Sequence, residues 1–190
     1  MSKLSRLALV VYCLWRCTAV VAQSPTLRGT ETGIPFVKWF SPQEYEGTPQ
    51  VFSVEQDDRG ILYFGLSCGG LREYDGTSWR TIATPHGAIV RAMARGEDGR
   101  IYVGEVGDFG YLEPDNSGQM RFTSLLQLVP QKDRDFQDVR RIHSTAEGMY
   151  FQSNERLFLL TRQGSDWRIK VWKPDTRFRY SFSVFGTVYL

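Results

Sequence analysis

Cysteine is scarce in this chain, three in 190 residues. Cys13 and Cys17 fall in an N-terminal leader, so Cys68 stands alone and no intrachain disulfide is expected. Histidine is scarcer, with only His86 and His143, and neither pairs with Cys68 or a serine in a nucleophile motif. No glycine-rich loop opens a helix, which leaves no phosphate cradle. No apolar run reaches the ~20 residues that a membrane-spanning helix needs. Residues 7–22 are too few, and Arg16 interrupts them. Basic excess is also missing. The formal charge is +2, but without Lys3, Arg6 and Arg16 the 23 basic residues fall to 20 against 21 acidic ones, near −1. That balance supplies no footprint for nucleic acid or an anionic membrane surface.

Residues 1–22 have a charged start, an apolar centre and Val20-Val21-Ala22 before Gln23, the layout of a secretory signal peptide cleaved after Ala22. A lipoprotein is disfavoured because Tyr12 and Arg16, not small residues, precede Cys13 and Cys17. Residues 23–50 are a lead-in without periodicity, apart from the apolar stretch 36–40, which reads as a strand closing a sheet formed elsewhere. Ser41-Pro42-Gln43-Glu44 then has the form of a capping box with Pro at the first helical position, predicting one helical turn.

What the chain does have is repetition. Residues 51–82 contain four short β-branched and aromatic runs, separated by Asp57-Asp58-Arg59-Gly60, a Gly-rich loop and Asp75-Gly76-Thr77-Ser78. Such runs closed by Asp/Gly/Ser turns describe a four-stranded antiparallel meander. The same layout returns at Gly99, Gly148 and Gly186, at spacings of 39, 49 and 38 from Gly60 onward, the 49 carrying a ten-residue insertion. A period near 40 with four strands per unit predicts an all-β fold, a β-propeller fragment of about three and a half blades. The blades are expected at 51–83, 89–124 and 139–172, with a partial one at 178–190. A closed propeller usually has four to eight blades, so the chain reads as an excerpt of a longer protein.

Asp57, Gly60, Leu62-Tyr63, Gly65, Gly70-Leu71 and Asp75 in the first unit, and Gly99, Ile101-Tyr102, Gly104, Gly110-Tyr111-Leu112 and Asp115 in the second, resemble the two-component regulator propeller repeat. The third unit keeps Gly148 and Tyr150 but has Gln152 and Arg156-Leu157 where that family has Gly and Gly-Leu, and Tyr stands for the usual Trp throughout. The resemblance implies an exported region on the periplasmic or cell-surface side of the inner membrane. There it would sense a small extracellular ligand, often a carbohydrate, for a bacterial signalling protein, with a membrane helix and a kinase, cyclase or DNA-binding module downstream. It further implies a dimer in the longer protein, no cofactor and no enzyme activity within this stretch. A propeller lyase or glycosidase, and a structural interaction propeller, remain the alternatives.

The Asp residues of the turns read as Asx hydrogen-bonding groups rather than metal ligands, and Asp133, Asp135 and Asp138, interleaved with Lys132, Arg134 and Arg140, as a solvated loop. Tyr74 to Trp79 approximates a sialidase Asp-box but lacks one residue between Asp75 and Gly76. His143 lies in a predicted inner strand as a structural histidine. In a four-stranded blade the loops joining strands two and three share a face with those joining blades. That face is the expected binding face. Its candidates are Arg134, Asp135 and Phe136 in the insertion, then Asp108 and Phe109, and His86 between the first two blades. Phe136 could stack on a sugar ring or plug the gap between blades.

Overall fold

Runs rich in Val, Ile, Tyr and Phe and bounded by turn residues form strands because their side chains suit a pleated, half-buried surface. The computed structural model describes residues 37–164 and 166–190. Its regular elements are strands apart from two 3-10 turns, Leu126–Leu128 and Gln131–Asp133. The expected leader lies outside the described residues.

Three four-stranded antiparallel sheets succeed one another in the unit 40–190. The first consists of β1 (Val51–Gln56), β2 (Leu62–Leu66), β3 (Leu71–Tyr74) and β4 (Trp79–Ile82). The second consists of β5 (Val90–Arg95), β6 (Ile101–Glu105), β7 (Phe109–Pro114) and β8 (Met120–Ser124). The third consists of β9 (Arg141–Thr145), β10 (Gly148–Gln152), β11 (Leu157–Gln163) and β12 (Asp166–Trp172). A hairpin of β13 (Phe182–Val184) and β14 (Thr187–Tyr189) follows. Inner strands β1, β5 and β9 pack side by side while the outer strands diverge, the arrangement of propeller blades.

Turn chemistry pins the first two sheets locally. Asp57 Oδ1 accepts from the N–H of Arg59 and of Ile61, Asp75 Oδ1 from Thr77 and Ser78, and Asp115 Oδ1 from Ser117 and Gln119. The tyrosines that recur from unit to unit are held in the same way. Tyr63 is fully buried and donates to Asp57 Oδ2 at 3.0 Å, Tyr102 donates to Asp98 Oδ2 at 3.0 Å, and Tyr150 donates to Glu147 Oε2 at 2.7 Å. The buried phenols of Tyr63 and Tyr102 need an acceptor, Tyr150 is half-buried, and each repeat brings its own carboxylate.

The core lies between sheets, as stacked blades require. Tyr63, Leu71 and Ile82 of the first sheet meet Val90, Met93, Ile101, Val103 and Leu112 of the second. Between the second and third, Phe109 stacks on Phe151 at 4.5 Å and packs on Phe158 at 4.9 Å. Close approach of the sheets accounts for two glycines. A Cβ on Gly65 would come within 2.6 Å of the Val90 carbonyl oxygen, and one on Gly104 within 2.6 Å of Val139 Cγ1.

Part of the expected closing strand, residue 36, lies outside the described residues. Its described residues, 37–40, form no strand. Phe40 instead packs edge-on against Tyr74 at 4.9 Å and Trp79 at 5.1 Å. Residues 41–46 make a hydrogen-bonded turn in which the Ser41 N–H donates to Glu44 Oε2 at 2.6 Å. Buried Arg72 anchors it by donating to the carbonyls of Tyr45 and Glu46 at 2.8 and 2.7 Å. Among the described residues no helix is long and apolar enough to cross a membrane.

Candidate functional site

The first strands of the first two sheets begin irregularly. Pairing of β1 with β2 shifts register between Val51 and Ser53, and pairing of β5 with β6 between Val90 and Ala92, which makes Phe52 and Arg91 bulge residues. A bulge leaves one residue outside the ladder and re-aims its side chain. Arg140 stands at the matching place before β9, its N–H donating to the Gln152 carbonyl at 2.7 Å. The spacings from Phe52 to Arg91 and from Arg91 to Arg140 are 39 and 49, the repeat spacings themselves.

These three positions converge on a cleft of about 390 Å³ at one end of the inner strands. Arg141, Asn154, Arg177, Phe178, Arg179 and Tyr180 complete its wall, giving five arginines and no carboxylate. The Phe178 N–H donates to the Asn154 carbonyl at 3.0 Å, which holds the 177–180 segment on the β10–β11 loop. Arg91 lies over the Phe52 ring, 4.4 Å from its centroid, and its Nε sits 2.5 Å from Asp138 Oδ2. That contact is an ion pair by charge and distance rather than an aligned hydrogen bond. Arg140, Arg177 and Arg179 make no ion pair among the described residues. Guanidinium forks beside flat rings suit carboxylate, sulfate or phosphate groups carried on a ring-shaped ligand.

A larger cleft of about 590 Å³ lies at the opposite end of the sheets, lined by Asp57, Asp58, Arg59, Asp98, Arg100 and Glu113 among others. Its charges largely satisfy one another: Arg59 pairs with Asp57, Arg100 with Asp98 and Arg95 with Asp58. In the arginine cleft only Arg91 has an acidic partner among the described residues, Asp138, which makes this cleft the candidate binding site.

The insertion residues are mostly structural. Arg134 turns back on its own loop, donating to the carbonyls of Val129 at 2.8 Å and Gln127 at 3.0 Å. Phe136 is buried, 4.9 Å from Phe158 and 6.0 Å from Phe109, which plugs the gap between the second and third sheets. Phe109 is fully buried in the same cluster. Asp135 is exposed. Asp133 is buried and pairs with Lys173 at 3.0 Å and Arg156 at 3.4 Å, and the Lys173 ammonium holds its carboxyl below the usual range. His143 Nε2 lies 2.7 Å from Ser181 Oγ, and burial lowers its pKa.

Asp108 and His86 come together, with a third residue. Glu105 ends β6 and Asp108 precedes β7, the Glu105 N–H donating to the Asp108 carbonyl at 3.0 Å across a turn through Gly107 at φ 72°. One donor atom from each of His86, Glu105 and Asp108 lies within 4.8 Å of the other two. Glu105 is 0 % exposed and Asp108 2 %, while His86 is exposed. Burial pushes both carboxyls above the usual range. Ser124 Oγ and the Phe109 N–H oppose the rise at Asp108, donating to Oδ1 at 2.8 and 2.6 Å. At Glu105 the nearby Thr84 hydroxyl and His86 oppose it and the Asp108 charge adds to it. Even so, neither Glu105 oxygen nor Thr84 Oγ1 is within hydrogen-bond geometry of a partner.

Sequence reasoning missed Glu105 and the arginines. The arginines had a signal, since Arg91 and Arg140 recur at the repeat spacing. No protein-family model matches the chain, and no curated protein matches it.

Proposed function

We propose that this chain is the ligand-sensing propeller region of an exported bacterial signal-transduction protein, and that its ligand is a small acidic carbohydrate or a similarly anionic ring compound. The observation that carries the ligand class is the cleft itself: five arginines and three aromatic residues around about 390 Å³, with no acidic residue in the wall. Pyranose rings lie against flat aromatic surfaces while guanidinium groups donate bidentate hydrogen bonds to carboxylate or sulfate, an apolar wall with a few polar fixtures. Binding is preferred over catalysis because the described lining residues offer no carboxylate or histidine for a general acid-base pair. The sensing role and the export rest on the repeat resemblance and on the leader-like residues 1–22.

Calorimetric titration of the chain with a uronic-acid disaccharide, beside its neutral counterpart, tests the reading. The acidic sugar should bind, weaken as salt rises, and lose affinity in Arg141→Ala and Arg179→Ala, whose exposed side chains carry little of the fold. Equal binding of the neutral sugar, or unchanged affinity in both variants, would sink it.

A further inference from the structure

The His86, Glu105 and Asp108 group takes no part in the arginine cleft, and it poses a physical problem of its own. Two carboxyl groups are buried side by side, one of them with both oxygens lacking a protein partner. Leaving an ionised carboxylate buried and unpaired costs several kcal/mol. Two segments that are separate in sequence deliver the donors: the link between the first two sheets, with His86, and the β6–β7 turn, with Glu105 and Asp108.

The convergence is held rigidly. The Val139 N–H donates to the Glu105 carbonyl at 3.1 Å, the Gly107 N–H donates to the Gln137 carbonyl at 3.0 Å, and Val106 bridges Asp138. Asp108 Oδ1 is engaged by Ser124 and the Phe109 N–H, which orients the carboxylate. Ligating carboxylates are commonly oriented in this way by a neighbouring donor. The exposed imidazole leaves an approach from solvent.

We infer that His86, Glu105 and Asp108 form a binding site for a divalent transition-metal ion, with the Thr84 hydroxyl beside it. The geometry fits within a small adjustment. Ligand atoms about 2.0–2.2 Å from one ion lie roughly 3–4 Å from each other, and these three lie within 4.8 Å. One imidazole with two carboxylates favours zinc, manganese or iron over calcium and magnesium, which prefer all-oxygen shells. A bound dication compensates both carboxylates and gives the orphaned Glu105 oxygens their partner.

The site is tested by calorimetry and thermal unfolding of the whole chain, stripped with chelator and titrated with Zn²⁺, Mn²⁺ and Ca²⁺. The expected result is saturable binding of zinc or manganese well above calcium, with a metal-dependent rise in Tm. His86→Ala, a change at an exposed side chain, and the near-isosteric Glu105→Gln should each weaken binding by about tenfold or more and abolish the rise in Tm. Zinc and manganese binding that both variants leave intact overturns the inference, as does the absence of any metal-dependent rise in Tm in the unaltered chain. So does a Glu105→Gln chain that is more stable than the unaltered one with or without metal while His86→Ala changes nothing. That pattern would mean two carboxyls sharing a proton.

Discussion

Arg91 and Asp138 form an ion pair that ties the bulge of β5 to the segment entering the third sheet, with Arg91 Nε 2.5 Å from Asp138 Oδ2. Asp138 also bridges Val106, in the loop that carries Glu105 and Asp108. The Asp138 backbone is thus tied to the loop of the buried acidic group, while its carboxylate faces Arg91 and partly neutralises the cleft.

Removing that charge should strengthen anion binding. In Asp138→Asn, Arg91 keeps its place over Phe52 but loses its counter-ion, so affinity for an acidic sugar should rise several-fold at low salt and the gain should shrink as salt is added. Titration at two ionic strengths checks this. Weaker binding in the variant would mean that the ion pair is needed to position Arg91.

Phe136 and Phe109 should behave as packing residues. Each is buried among the rings of Phe151 and Phe158, so Ala at either position should cost about 3–5 kcal/mol in denaturant unfolding. Sugar affinity, measured under conditions where the variant is folded, should be unchanged.

Glycine at 104 is required by proximity and glycine at 118 by backbone conformation. A Cβ at Gly104 would lie 2.6 Å from Val139 Cγ1, whereas at Gly118, with φ 81°, nothing comes within 4 Å. Gly104→Ala should cost about 1–3 kcal/mol through forced separation of the sheets. Gly118→Ala should cost about 1 kcal/mol from the left-handed backbone alone. Comparison of the two unfolding midpoints distinguishes the causes.

The Tyr63–Asp57 contact predicts a pH dependence with a definite sign. Burial raises the Asp57 pKa, but the hydrogen bonds from Arg59, Tyr63 and the Ile61 N–H outweigh it and leave it below 3.8. A carboxyl depressed in the folded state stabilises fully above its unfolded value and loses that contribution as pH falls through the folded value. Tyr63→Phe should therefore be less stable than the unaltered chain by about 1 kcal/mol near neutral pH. The gap should close as pH drops below about 4. Urea unfolding at a series of pH values measures the gap directly, and a gap that stayed constant into acid would mean that the hydroxyl acts through something other than the ionised Asp57.

Much of the architecture was legible without coordinates. Asx turns act over two to four residues, so Asp57, Asp75 and Asp115 announce their hairpins wherever they occur. Alternation and the 39, 49 and 38 spacings carried the strand count, because stacking requires each unit to present the same faces. The glycines at 65 and 104 were visible as pattern, though their reason, the approach of Val90 and Val139, lies in the neighbouring sheet.

The sites belong to tertiary structure. Phe136 had two readings of equal standing in the sequence, ligand stacking and interblade packing, and only the position of Phe158, 4.9 Å away, chose between them. Glu105 looked like any loop-edge acid until sheet stacking buried it beside Asp108 and brought His86, 19 positions earlier, against both. Sequence determined which residues turn, alternate and repeat, since those are interactions between near neighbours. Which charges face one another was decided by the angle and distance between sheets, sums of packing over many residues that no local pattern encodes.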